Sequence, residues 1–157
     1  LIPHARVRTT KGQRFIDPMG IVLPSRDGRI VSSGYHFVTL NSPQYQSPQR
    51  PGLRWDGGDI IAGLQVLRLK LKMPWALQIE MIDLSTWSYD GSITLVTKTP
   101  CRLLWGSAPG KEAGLEALAN EKISRLDHLY RDHGAIDRGR TTGLDITQPD
   151  RIAKIGS

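Results

Sequence analysis

The chain has 157 residues, and 21 Lys and Arg against 15 Asp and Glu give it a formal charge of +6. At 39% hydrophobic and 23% charged residues it carries the apolar mass of a folded domain, which excludes a disordered chain. A single cysteine, Cys101, excludes an internal disulfide framework and any Cys-rich zinc site, and no stretch approaches the roughly 20 apolar residues of a membrane span.

From the N-terminus, Ala5-Arg6-Val7-Arg8-Thr9 alternates apolar with basic residues at period 2, as a half-buried strand does. Lys11-Gly12 is a turn signal, and Arg14-Phe15-Ile16-Asp17 completes a hairpin. After a second turn at Asp17-Pro18-Met19-Gly20, Ile21-Val22-Leu23-Pro24 supplies another short apolar run. Asp27-Gly28 then turns the chain into Arg29-Ile30-Val31. From Ser42 to Gly58 the chain reads as a surface loop, with Pro43, Pro48 and Pro51 among polar residues.

Asp59 stands as N-cap to a first helix, where Ile60, Ile61, Leu64, Leu67 and Leu71 draw an apolar stripe. Arg68, Lys70 and Lys72 suit the negative end of its dipole, and Pro74 stops it. Three strands are expected next, over Leu77–Leu84, Ser92–Thr97 and Cys101–Trp105, forming an antiparallel meander. Asp90-Gly91 reads as a hairpin turn and Thr99-Pro100 as a bend. A second helix is expected over Pro109–His133, with Leu115, Leu118, Lys122, Leu126 and Leu129 in its apolar row and Gly134 as C-cap. Within that row Lys122 is expected to lay its stem on the core and snorkel its amine into water. Three short strands close the chain: Ala135–Asp137, Gly143–Thr147 and Arg151–Ile155, the last at a sheet edge and preceded by a turn at Gln148-Pro149-Asp150. This order predicts an α+β fold, a mostly antiparallel β-sheet with two main helices packed against it, in one domain over residues 1–157.

Catalytic and ligand-binding signatures are scarce. Trp105-Gly106-Ser107-Ala108-Pro109-Gly110-Lys111 lacks the glycine spacing of a phosphate-binding loop, and Ser32-Ser33-Gly34 lacks the first glycine of a nucleophile elbow. His128 and His133 fall on different sides of a helix, with His4 and His36 in strands and turns, so four solvated histidines are expected rather than metal ligands. Glu112 and Glu116 share a helix face at i and i+4 and are expected to be solvated. Cys101, in an apolar strand, is expected to be a small buried hydrophobe. No enzyme machinery, cofactor or metal site is expected. The basic residues, among them Arg6, Arg8, Lys11, Arg14, Arg138, Arg140, Arg151 and Lys154, are spread along the chain with no basic recognition helix, and Trp55, Trp75, Trp87 and Trp105 form no stacking platform.

Order and wording together carry a resemblance. The run Arg14-Phe15-Ile16-Asp17-Pro18-Met19-Gly20-Ile21-Val22-Leu23-Pro24 resembles the opening of the β domain in FtsQ/DivIB bacterial cell-division proteins, and Gly57-Gly58 before an apolar helix is similar to that family too. Gln78–Leu84 followed by Gly91–Leu95 resembles its paired strands. Leu103-Leu104-Trp105-Gly106 with Glu116, Lys122, Leu126 and Leu129 resembles its next strand end and helix. Gly143–Thr147 with Arg151–Lys154 resembles its last strands.

What the resemblance implies is a non-catalytic scaffold of the division machinery, on the periplasmic side of a single-pass inner-membrane protein. It implies a POTRA domain and a transmembrane segment upstream, an expectation in keeping with a sequence that opens on Leu1 rather than Met. It further implies that FtsB/FtsL-like partners, themselves membrane-anchored, add a strand to the terminal sheet edge. Arg151, Ile152, Ala153, Lys154 and Ile155, supported by Asp145, Ile146 and Thr147, are the residues expected to carry that contact. Neither nucleic acid nor a small-molecule substrate is implied. The alternative is a soluble basic module binding anionic ligands such as nucleic acid, with affinity falling steeply in salt. An enzyme assembled from residues distant in sequence stands as a third alternative.

Overall fold

In the computed structural model, residues 4–24, 37–43, 50–55, 57–139, 142–149 and 151–155 are described. They include eight strands: β1 (Ala5–Thr9), β2 (Gly12–Ile16), β3 (Thr39–Asn41), β4 (Ile79–Asp83), β5 (Ile93–Thr97), β6 (Arg102–Gly106), β7 (Gly143–Asp145) and β8 (Ala153–Ile155). Two long helices, α1 (Gly58–Leu71) and α3 (Ala119–His133), flank a single-turn helix α2 (Trp87–Asp90). All eight strands join one sheet in the order β2-β1-β3-β4-β5-β6-β7-β8. The β1–β2, β4–β5, β5–β6 and β7–β8 pairings are antiparallel, whereas β1–β3, β3–β4 and β6–β7 are parallel.

Two of the three parallel pairs follow from the helices. A strand returning beside its predecessor in the same direction needs a crossover, and α1 supplies it between β3 and β4, α3 between β6 and β7. The register then stacks Val7, Leu40, Ile82, Leu95, Leu103 and Leu144 into one row across six strands. Each is at most 1% exposed. Ile60, Leu64 and Leu67 of α1 and Leu126 and Leu129 of α3 join the same apolar cluster. Burying side chains of this size stabilises the fold by roughly 1.5–3 kcal/mol each before chain entropy is charged against it. A helix can lie this close only where a side chain is missing: a Cβ on Gly63 would meet Leu84 Cδ1 at 3.1 Å and Leu40 Cδ2 at 3.4 Å.

Several sequence expectations need correction. β3 lies in the middle of the sheet although only Phe37-Val38-Thr39-Leu40 hints at it, and it makes the order two βαβ crossovers around a meander. Asp59 is not the N-cap of α1. It lies inside the first turn, fully buried, where its Oδ2 accepts a hydrogen bond from Ser42 Oγ, and Gly57 caps the helix without a side-chain bond. Ile61 and Leu71 leave the apolar stripe for solvent. The second long helix begins at Ala119, not Pro109, because Gly106, Gly110 and Gly114 take positive φ and turn the chain instead; Leu115 and Leu118 are exposed. Asp90-Gly91 closes α2, with Gly91 at φ 74°, rather than a two-residue hairpin. Ala135–Asp137 is a turn.

The meander strands, the Gly134 cap and the burial of Cys101 are as expected. The turn at Asp27-Gly28, the strand at Arg29–Val31, Ser32–Gly34, His36, Pro48, Arg140 and Asp150 lie outside the described residues.

Candidate functional site

The last two strands form the end of the sheet where the sequence places a docking edge. In β7, Ile146 N donates to Leu104 O across the parallel pair, so the backbone of Leu144 and Ile146 faces β6. Successive residues of a strand point their N–H and C=O to opposite sides. The backbone groups of Gly143 and Asp145 therefore face β8, where their register partners are Ile155 and Ala153. By the same alternation, Lys154 turns its N–H and C=O away from the sheet, and β8 is the last strand in the order. One residue thus presents both backbone groups at an edge that no other strand among the described residues occupies, with its cationic side chain beside them. Lys154 and Ile155 are exposed and Ala153 is half-buried.

This short strand is held from behind. Arg125 of α3 donates from Nη1 to Ile146 O at 2.9 Å and to Gln148 O, tying the β7–β8 turn to the helix. Asp145 Oδ1 accepts from Thr147 N at 2.8 Å and Thr147 Oγ1 at 2.6 Å, which folds the chain out of β7. Thr147 O accepts from Ala117 N at 2.8 Å, bringing in the segment that precedes α3.

That segment is anchored by a buried ion pair that the sequence reading placed in solvent. Lys122 does not snorkel: its side chain is 0% exposed, with Nζ 2.6 Å from Glu116 Oε2 and 5.1 Å from the centroid of the Trp105 ring. Glu116, expected on a solvated helix face, also accepts from Ser107 N at 2.9 Å and Ser107 Oγ at 2.8 Å. Burial pushes the Glu116 carboxyl up, but the hydrogen bonds from Lys122 and Ser107 and the Lys122 charge outweigh it and leave it below the usual glutamate value. Gly106 makes this possible: at φ 92° its missing Cβ would lie 2.6 Å from Glu116 Oε2 and 2.8 Å from Thr147 Cγ2. Glu112 likewise is no solvated partner of Glu116, since its Oε1 accepts from Ala119 N at 3.1 Å and caps α3.

Of the eight residues expected at the interface, Arg151 through Ile155 reach the edge strand or its approach, and Asp145 stands one strand inward. Ile146 is fully buried and Thr147 is occupied with Ala117, so both support the edge from within. The sequence reading missed Arg125, Glu116 and Gly106 as the supports of this edge; Glu116 and Lys122 are six residues apart and become neighbours only because 107–118 is not helical.

Elsewhere, His4 is half-buried rather than solvated, and burial and the nearby Arg68 charge hold its imidazole below the usual value. Among the described residues no three His, Cys, Asp or Glu side chains gather closely enough to hold a metal ion. No helix among them is long and apolar enough to cross a membrane. No protein-family model matches the chain, and no curated protein is significantly similar to it.

Proposed function

We propose that this chain is the extracytoplasmic β domain of a membrane-anchored, FtsQ/DivIB-type scaffold in bacterial cell division or envelope assembly, and that it binds partner proteins without catalysing a reaction. Binding is by strand addition at β8. The observation that carries this reading is the outward-facing backbone of Lys154 at the end of an eight-stranded sheet. An incoming strand gains main-chain hydrogen bonds there, while Ala153 and Ile155 on one face and Lys154 on the other give it side-chain contacts to select. Further support comes from the order of elements: the Asp17–Gly20 turn, the Gly57-Gly58 entry to α1, the β4–β6 meander, α3 and the two closing strands stand in the sequence of the family's motifs. FtsB/FtsL-like single-pass division proteins are the proposed partners.

The test is a photo-crosslinking residue at position 154 of the full-length protein in its own host. The proposal expects crosslinks to small single-pass division proteins, with the crosslinked protein in the membrane fraction. Crosslinks from 154 only to cytosolic proteins or nucleic acid, or none in dividing cells, overturn it.

A further inference from the structure

The opposite face of the sheet holds a second feature that strand addition at β8 does not use. Here the register lines up Phe15, Arg6, Thr39, Met81, Val96 and Arg102 as one row, beside a parallel row through Arg8, Asn41 and Asp83. A trough of about 460 Å³ opens over the Arg6 end of these rows, within the size range of ligand-binding clefts. Its floor is Thr39, Met81 and Val96, and Arg6 and Arg8 flank it.

The charges in and around the trough are unequal in their commitments. Asp83 is spent: it accepts from Arg102 Nη2 at 2.5 Å, Asn41 Nδ2 at 3.0 Å and Ser85 N at 3.1 Å. Among the described residues Arg8 meets weak acceptors, Asn41 Oδ1 at 3.3 Å and the Met81 sulfur at 3.8 Å. Arg6 lies with its guanidinium carbon 5.5 Å from the Phe15 ring centroid, and its Nε is buried with no hydrogen-bond partner among the described residues. That buried Nε is closed to a ligand in the trough, so what Arg6 and Arg8 offer there is the positive charge of two guanidinium groups on one side of an apolar floor. One exposed carboxylate, Glu80, stands on the rim. It disfavours a continuous polyphosphate backbone while leaving room for a single carboxylate on the arginine side.

We propose that this trough is a second docking site, taking a short acidic and apolar peptide segment of a partner protein. A partner carboxylate meets Arg6 and Arg8, and a neighbouring apolar side chain covers Met81 and Val96. The site is independent of the β8 edge, so both can be occupied at once.

The experiment uses the whole chain with its methionine methyls labelled for NMR. The probe is acetyl-Glu-Leu-Glu-Leu-Glu-Leu-amide, against the same peptide with Lys for Glu and against a DNA oligonucleotide. The Met81 methyl is expected to shift saturably with the Glu peptide and to stay unmoved by the Lys peptide. Arg6→Gln is expected to weaken binding at least about tenfold, with Arg6→Lys intermediate. The unshifted methyls of Met19 and Met73 report that each variant is folded. No Met81 response at millimolar Glu peptide, an equal response to the Lys peptide, or a tighter response to DNA overturns the proposal.

Discussion

At one end of the sheet the chain folds back over the C-terminal part of β2. Leu23 N donates to Phe15 O at 2.9 Å and Ile16 bridges Val22, so residues 21–23 run along the outer side of β2. That strip is covered in turn, by Gly52 N to Val22 O, Val22 N to Leu53 O and a bridge from Ile21 to Arg54. At the other end β8 is three residues long and ends the sheet with Lys154 facing out. An uncovered strand edge invites pairing with other chains, and proteins commonly blunt such edges with a covering segment or with lysine. Here the first device serves β2 and the second serves β8. A lysine leaves the backbone available to a matched strand, so the two ends differ: among the described residues Phe15 and Ile16 of β2 are paired on their outer side, and Lys154 of β8 is not.

The largest expected effect breaks the support of the open end. Glu116→Gln leaves the Lys122 ammonium buried without its counter-charge and is expected to cost about 3–5 kcal/mol. Denaturant unfolding measures the loss, and amide exchange should accelerate in β7 and β8 before β1 and β2. The sign of its pH dependence follows from the lowered carboxyl: the contribution of Glu116 is present above the usual glutamate range and lost as pH falls through its folded value. Wild type should therefore lose more stability on acidification than the variant.

Lys70, in α1, belongs to neither end of the sheet. Its side chain is buried, its Nζ donates to Ala76 O at 2.8 Å, and burial brings its pKa down to about 8. Below pH 8 the folded state carries the full cost of the buried charge. Between pH 8 and the ordinary lysine value of 10.5 the unfolded chain binds a proton the folded one does not, so stability rises with pH, by roughly 3 kcal/mol in all. Lys70→Met should flatten that rise in thermal melts taken from pH 7.5 to 10.

At the closed end, Asp17 Oδ1 accepts from Met19 N at 2.8 Å and Ile21 N at 2.9 Å and so sets the turn that brings 21–23 over β2. Asp17→Ala is expected to cost about 1 kcal/mol and to expose β2, read as concentration-dependent self-association in light scattering. The smallest stability effect belongs to Lys154→Pro. Its N–H points outward, so the change should alter stability by no more than about 0.5 kcal/mol while abolishing strand addition. Ala153→Pro removes a donor facing β7 and should destabilise the β8 end outright.

The sequence makes the periodic parts of this architecture legible. The alternation of Ala5–Thr9, the meander strands and Gly134 are local signals, and each holds in the fold. β3 escapes because three residues leave too short a run to show a period. The Glu116–Lys122 pair escapes for another reason: helical spacing cannot bring residues six apart together, and the glycines at 106, 110 and 114 decide the path. At the β8 edge, the residue numbers follow from its terminal position and charge. Which backbone groups face outward depends on the β6–β7 register, a long-range property that no local pattern encodes.

Amide hydrogen exchange across Ala153, Lys154 and Ile155 reads which backbone groups of β8 face outward. The amides of Ala153 and Ile155 are expected to be protected and that of Lys154 to exchange freely in the isolated protein, with Lys154 gaining protection when a partner strand is bound. A protected Lys154 amide in the isolated protein would show the edge already occupied and would contradict the account.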